Sequence, residues 1–177
     1  QMKWLITGGN GQLGRAMSME LRKHNADFIS LNHSELDITN PHQINKCLNR
    51  ELPDIVLNTA AWTDVDLAES HEERAWAVNA EGPKILAAAC VNVDAKLIHI
   101  STDYVFSGVS DSPWSENAIL SPISAYGRTK ADGERLVLDA YAEGTYLVRT
   151  SWLYSPWGTN FVKTMIKIAL QDSKVIK

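Results

Sequence analysis

Apolar positions in this chain come in short dense blocks that alternate with longer stretches of helical period. Residues 3 to 7 (KWLIT) form a short apolar run that leads straight into GGNGQLG, after which Leu13, Met17 and Leu21 recur at helical spacing as far as about Asn25. DFISL at 27–31 reads as a second strand, HQINKCLNREL after Pro41 as a helix, and DIVLN at 54–58 as a third strand. A long helix is predicted over 72–91, with Ala75, Val78, Ile85, Leu86 and Ala89 as its apolar stripe, and KLIHIS at 96–101 as the fourth strand. Ser124 can cap a further helix that runs to about Ala142, and TYLVRT at 145–150 closes the series as a fifth strand. Strands this short and this uniformly apolar, separated by helices, predict an α/β fold: a doubly wound parallel sheet with helices on both faces.

The longest irregular stretch, 103–123, holds Gly108, Pro113 and Pro122, and a loop of that length in a compact domain usually serves a site. Composition narrows the choice of site. The chain has 177 residues, enough for one well-buried core and short for two domains, so a single domain over 1–177 is expected. Its net charge of −4 comes from intermixed acids and bases without a basic run, which argues against nucleic acid as a partner. The opening apolar run is too short for a signal peptide and no segment has the length of a membrane span, so a cytoplasmic protein without membrane attachment is expected. Cys47 and Cys90 stand apart without a CxxC pattern, and His24, His33, His42, His71 and His99 show no ligand spacing; buried free thiols and no metal are the expectation.

The glycine turn carries the first chemistry. Gly9, Gly11 and Gly14 fit GxGxxG, while Gly8, Gly11 and Gly14 fit GxxGxxG, and the turn lies between the first strand and the first helix. Both patterns predict a cradle in which the backbone approaches a pyrophosphate and the amides of a helix N-terminus face the anion, as in a Rossmann-type dinucleotide site. At the end of the second strand the chain reads Leu31, Asn32, His33, with no acid for an adenosine ribose 2′-hydroxyl and no arginine for a 2′-phosphate, so NADPH and NADH both remain open. The second piece of chemistry is Tyr126 and Lys130 in YGRTK: at i and i+4 on one helix face, an ammonium can act on a phenol.

The glycine turn, LDIT, NTAAWTDVDLAE, VNAEG, HISTDYVFSG, YGRTKADGE and VRTSWLY together resemble the extended short-chain dehydrogenases, and STDYVFSG with RTSWLYSPWGTNFVKTM resembles the dTDP-4-dehydrorhamnose reductase family among them. The resemblance covers essentially the whole chain. Members of that family continue well beyond SKVIK, so the chain is expected to be the cofactor-binding part, with a substrate-binding part absent or incomplete, and Gln1 ahead of Met2 reads as a remnant of expression. The resemblance implies that Gly11, Gln12 and Leu13 contact the cofactor diphosphate, that Asp37 and Ile38 flank the adenine, and that Ala61, Trp62 and Thr63 lie along the nicotinamide side. Thr102, Tyr126 and Lys130 match the catalytic triad, and Asn79 resembles a helix asparagine that supports it, with a structural role as the other reading. Val65, Ser101, Asp103, Val105 and Trp152 resemble positions that touch the deoxysugar; a tryptophan at a strand end serves core packing as readily, and Trp157 is a weaker candidate.

The chemistry implied is reduction of the 4-keto group of dTDP-4-dehydro-6-deoxy-L-mannose by NAD(P)H to dTDP-L-rhamnose. Tyr126 supplies the proton, Thr102 holds the carbonyl, and Lys130 binds nicotinamide ribose hydroxyls and lowers the phenol pKa. A homodimer of the full-length protein is left open. Two alternatives remain: another nucleotide-sugar enzyme of the same superfamily, and a non-catalytic cofactor-binding subunit resembling that of methionine adenosyltransferase. A dehydratase is disfavoured because Thr102 is followed by Asp103 and Tyr104 rather than an Asp-Glu pair, and the intact Thr102, Tyr126 and Lys130 set argues against the non-catalytic subunit.

Overall fold

In the computed structural model, which describes residues 2–171, five parallel strands make one sheet in the order β2-β1-β3-β4-β5: β1 Lys3–Thr7, β2 Asp27–Leu31, β3 Ile55–Asn58, β4 Lys96–Thr102 and β5 Thr145–Thr150. Gln1 and residues 172–177, including the terminal SKVIK, lie outside the described residues. The doubly wound α/β arrangement expected from the sequence is present. The strand order reverses between β1 and β3, because the chain steps one way from β1 to β2 and then crosses back to β3. Right-handed crossovers therefore set α1 (Gln12–Lys23) on one face and α2 (Pro41–Glu51) on the other.

Local chemistry starts and stops these helices. The Asn40 side chain accepts from the amides of His42 and Gln43, Pro41 occupies the first turn of α2, and Leu52 closes it in a left-handed conformation. Ser124 accepts from the Gly127 amide and opens α6 (Ala125–Tyr141), as its position in the sequence predicts. α5 (Gly82–Asn92) packs between α2 and α6, and this layer buries Ile44, Leu48, Leu86, Cys90 and Val137 against Leu5, Val56 and Leu97 of the sheet. The other face is covered unequally. α1 lies over β1 and β2, whereas Tyr146 and Val148 of β5 remain 63% and 40% exposed.

Three features depart from the expectation. The predicted 72–91 helix is wound in three parts: α4 (Glu72–Trp76), a π-helical turn (Ala77–Glu81) and α5. A six-residue helix α3 (Val65–Ser70), capped by Asp64, and a last helix α7 (Phe161–Gln171) lie where no element is predicted. No residue of α7 is buried. The long stretch after β4 starts with a 3-10 turn, Asp103–Val105, and is then irregular. Among the described residues no helix is long and apolar enough to cross a membrane and no cluster of His, Cys, Asp and Glu could hold a metal ion. Cys47 and Cys90 are buried free thiols, and burial pushes the Cys90 thiol up to about 12.

Candidate active site

An open cleft of about 1140 Å³ runs along the carboxyl ends of the strands, across the point where the strand order reverses. Ligands of open α/β sheets bind in this crevice.

One end of the cleft is the glycine turn. Gly8, Gly11, Gln12 and Leu13 line it. Gly8 has φ +67°, and a Cβ there would stand 2.7 Å from the Ala60 amide nitrogen, so the turn requires glycine on two counts. Gly14 does not reach the cleft wall; a Cβ on it would stand 2.6 Å from the Gly8 carbonyl oxygen, which makes it the glycine that lets α1 close on β1. A Cβ on Gly9 would collide with Ser30 Oγ and crowd the Leu31 backbone, so this glycine lets the turn lie against the end of β2. The N-cap of α1 is Gly11, which has no side chain to offer, so the first-turn amides of this 12-residue helix are left for an external acceptor. These residues fit a dinucleotide diphosphate.

Beyond the turn lie Asn32 and His33 at the end of β2, then Asp37 and Ile38. Asp37 Oδ1 accepts from the Thr39 amide and hydroxyl at 2.9 and 2.7 Å. Burial raises its pKa, but those two bonds and His33 outweigh burial and hold the carboxyl below its ordinary value. Ala61, Trp62, Thr63 and Val65 form the wall after β3. The Trp62 peptide is gripped at both groups by one side chain: Asn79 Oδ1 accepts from its N–H at 2.8 Å and Asn79 Nδ2 donates to its carbonyl at 3.1 Å. Asn79 Nδ2 also donates to Thr129 Oγ1 at 3.1 Å, and that hydroxyl donates to the Tyr126 carbonyl at 2.9 Å. Asn79 thus ties the loop after β3 to the first turn of α6, and the π-helical turn gives it the sideways reach to do so.

The opposite wall holds Thr102, Asp103, Tyr126 and Lys130. Thr102, the last residue of β4, donates to Asp103 Oδ1 at 3.1 Å and accepts from the Tyr104 amide at 3.2 Å. The Tyr126 ring meets Tyr104 edge-on with centroids 5.5 Å apart. Lys130 is 2% exposed, and its ammonium donates to the Ile100 carbonyl at 2.7 Å. Burial brings the Lys130 pKa down to about 8, while the carboxylate of Glu134, four residues on, pulls it back up. The Tyr126 phenol departs from the sequence-based expectation. Its pKa lies above the ordinary value, not below it, because burial dominates and Asp103 and Tyr104 add to it, with the Thr102 hydroxyl opposing.

Three of the residues assigned to the sugar side stand differently. Ser101 reaches the wall, but its hydroxyl is spent on Glu134 Oε1, and Glu134 is in turn held by the Arg149 guanidinium at 2.8 and 2.7 Å. Val105 is fully buried in the 3-10 turn against α6 and the structure does not bring it to the cleft. Trp152 does line the cleft, 72% exposed, with φ +52° and its ring edge-on to Phe161 at 5.0 Å. A tryptophan in the left-handed region is strained, which is characteristic of residues at ligand clamps. The cleft also takes in Arg74, stacked 5.7 Å from the Trp62 ring, and Gly158 and Thr159 of the loop before α7. Arg74 lies one helical turn before Val78, a spacing legible in the sequence; the 158–159 loop had no such signal.

The model of the RmlD substrate binding domain family matches residues 2–176. A dTDP-4-keto-6-deoxy-D-glucose reductase of Streptomyces niveus is 42% identical over 94% of this chain and 58% of its own length. A dTDP-4-dehydrorhamnose reductase of Streptomyces griseus is 42% identical over 98% of this chain and 57% of its own. The crystal structure of dTDP-4-dehydrorhamnose reductase from Bacillus anthracis in complex with NADP superposes with a TM-score of 0.95 at 39% identity, covering 99% of this chain and 62% of that one. The chain therefore spans less than two thirds of the length of the curated relatives it matches.

Proposed function

The chain belongs to the RmlD substrate binding domain family, and from that membership we propose that it is the cofactor-binding part of an NAD(P)H-dependent oxidoreductase, cytoplasmic and without a nucleic-acid partner, that reduces the 4-keto group of dTDP-4-dehydro-6-deoxy-L-mannose to dTDP-L-rhamnose. The observation that carries this reading is the convergence of Thr102, Tyr126 and Lys130 on one wall of a cleft whose far end is the uncapped glycine turn.

When bound, a reduced nicotinamide would supply hydride to the ketone carbon. The amides of Gln12 and Leu13 would hold the diphosphate, and the peptide of Trp62, braced by Asn79, would fix the wall along the nicotinamide. Thr102, its oxygen positioned by the Tyr104 amide, turns its proton from Asp103 to the ketone oxygen and stabilises charge that develops there. Tyr126 donates the phenolic proton to the same oxygen. Burial holds the phenol above its ordinary pKa, so it is protonated at neutral pH as any tyrosine is, and the Thr102 hydroxyl is the neighbour that opposes the shift and favours release of the proton. Neither Asn32 nor His33 is acidic, but the Glu35 carboxylate accepts from the Asn32 amide at 2.9 Å, so the end of β2 favours neither NADPH nor NADH on its own and both cofactors enter the test. The relative named for a 4-keto-6-deoxy-D-glucose favours a second reading in which the reaction is kept and the sugar differs.

The test is oxidation of NADPH or NADH by the full-length protein on enzymatically prepared dTDP-4-dehydrorhamnose, followed by absorbance. Turnover is expected, with Tyr126→Phe lowering kcat by about 10²–10⁴-fold. No oxidation with either cofactor overturns the reading, and an undiminished rate in Tyr126→Phe removes the proposed acid; turnover of the D-gluco sugar alone selects the second reading.

A further inference from the structure

Gln12 is the first residue of α1, and while its backbone faces the glycine turn, its side chain is committed elsewhere. Oε1 accepts from Ser155 Oγ at 3.2 Å and from Asn160 Nδ2 at 3.0 Å, and Nε2 donates to the Thr159 carbonyl at 3.2 Å. A Cβ on Gly158 would stand 3.0 Å from Gln12 Cγ, so the loop is pressed against the stem of this side chain as well as bonded to its amide. The loop is knotted within itself. Ser155 Oγ lies 2.8 Å from the Trp157 carbonyl, so its one proton is shared between that oxygen and the more distant Gln12 Oε1, and it accepts from the Trp157 amide at 3.1 Å; Asn160 Nδ2 donates to the Ser155 carbonyl at 2.9 Å, and Asn160 Oδ1 accepts from the Lys163 amide at the start of α7. Beyond Gln12 the segment has little else to hold it. Trp152, Tyr154 and Phe161 are 72%, 73% and 55% exposed, and α7 buries no residue. A segment with so few buried contacts opens at low free-energy cost, so a tie at Gln12 governs how often it is ordered.

We propose that Gln12 is a positioning residue that couples the two ends of the cleft: an anion seated on the amides at Gly11–Leu13 fixes Gln12, and its carboxamide in turn orders residues 151–160 and with them the Trp152 indole. This inference rests on the cofactor reading above and adds to it a linkage between diphosphate binding and the sugar-side loop. The linkage is thermodynamic. Ordering the loop once, when the dinucleotide binds, leaves less ordering cost for the ligand that meets Trp152 afterwards.

Backbone hydrogen exchange with and without saturating NADP+ tests it, because a purely structural brace would protect the loop equally in both states. In the wild-type protein NADP+ should slow exchange at 8–14 and also at 151–161, the latter by at least about five-fold, the lower end of ordinary coupling between sites. In Gln12→Leu the slowing at 8–14 should persist while the NADP+-dependent slowing at 151–161 disappears. Asn160→Ala removes one of the three bonds to Gln12 from the loop side, leaves the turn untouched, and should reduce the NADP+-dependent slowing at 151–161 while that at 8–14 persists; it decides the question if Gln12→Leu does not fold. Slowing at 8–14 with none at 151–161 in the wild type, or equal slowing at 151–161 in both variants, overturns the coupling. Absence of any effect at 8–14 in the wild type removes the cofactor reading instead.

Discussion

Lys130 is the residue on which burial and charge pull hardest against each other. Its ammonium is almost without solvent, which favours the neutral amine, and it stays charged near neutrality because the Glu134 carboxylate lies one turn away on α6 and the Ile100 carbonyl accepts from it. If the charged form is the working one, kcat/KM of the full-length protein should fall as pH rises through about 8. Glu134→Gln removes the group that favours the ammonium, so the alkaline limb should move to lower pH; a pH profile in which the limb stays put or moves up contradicts this assignment. The tyrosine-lysine spacing was legible because it is local, four residues on one helix. The direction of the Tyr126 shift was not, since burial depends on what Tyr104, Asp103 and the strand end bring from elsewhere in the fold. Nor could the sequence reveal that the Ser101 hydroxyl is consumed by a carboxylate 33 positions away.

α6 holds its two functional side chains in place by coming unusually close to its neighbours. At Gly133 an added Cβ would collide with the Asn79 carbonyl, and at Gly127 with the carbonyl of Tyr104. On an exposed helix, alanine in place of glycine stabilises by about 1 kcal/mol. Here the sign should reverse: Gly133→Ala is expected to destabilise by about 1–3 kcal/mol, the cost of overpacking, as read from the urea midpoint at unchanged slope. A stabilised variant would show that α6 and the π-helical turn are free to part. The elements themselves were largely readable. β1, β2 and β5, the start of α2 and the cap of α6 follow from apolar blocks and from Asn40, Pro41 and Ser124. α7 escaped because none of its apolar residues is buried, Phe161 meeting the exposed Trp152 ring, and the π-helical turn escaped because one extra residue leaves the stripe on either side looking like ordinary helix.

Across the whole molecule, three central strands are linked by a buried polar chain. Thr7 Oγ1 donates to Asn58 Oδ1 at 2.6 Å, and the Ala60 amide donates to the same oxygen at 3.2 Å, which leaves Asn58 Nδ2 to donate to His99 Nδ1 at 3.0 Å. The ring proton is thereby assigned to Nε2, which has no hydrogen-bond partner. Burial, with the nearby Lys130 charge, pushes the His99 pKa well below 6.5, so the folded protein keeps this ring neutral where the unfolded chain protonates it. The resulting stability is present above pH 6.5 and is lost as pH falls below it, by up to about 1.4 kcal/mol per pH unit. His99→Gln, which keeps an acceptor for Asn58 and cannot titrate, should flatten the dependence of the urea midpoint between pH 6.5 and 5; an unaltered slope would assign the acid sensitivity to other groups. At this scale the single parallel sheet was foreseeable, whereas the unequal cover of its two faces was not, because the apolar residues of β5 carry no mark of which side a helix will take. The wide turn at Ala77–Glu81 also constrains how the chain can vary. Deleting one residue there would restore regular winding but swing one flank by about 100° about the axis. Either Asn79 would then lose the Trp62 peptide or Leu86 and Cys90 would leave the interior. Apart from Asn79 and the buried Ala80, side chains in this joint are open to exchange; its residue count is fixed.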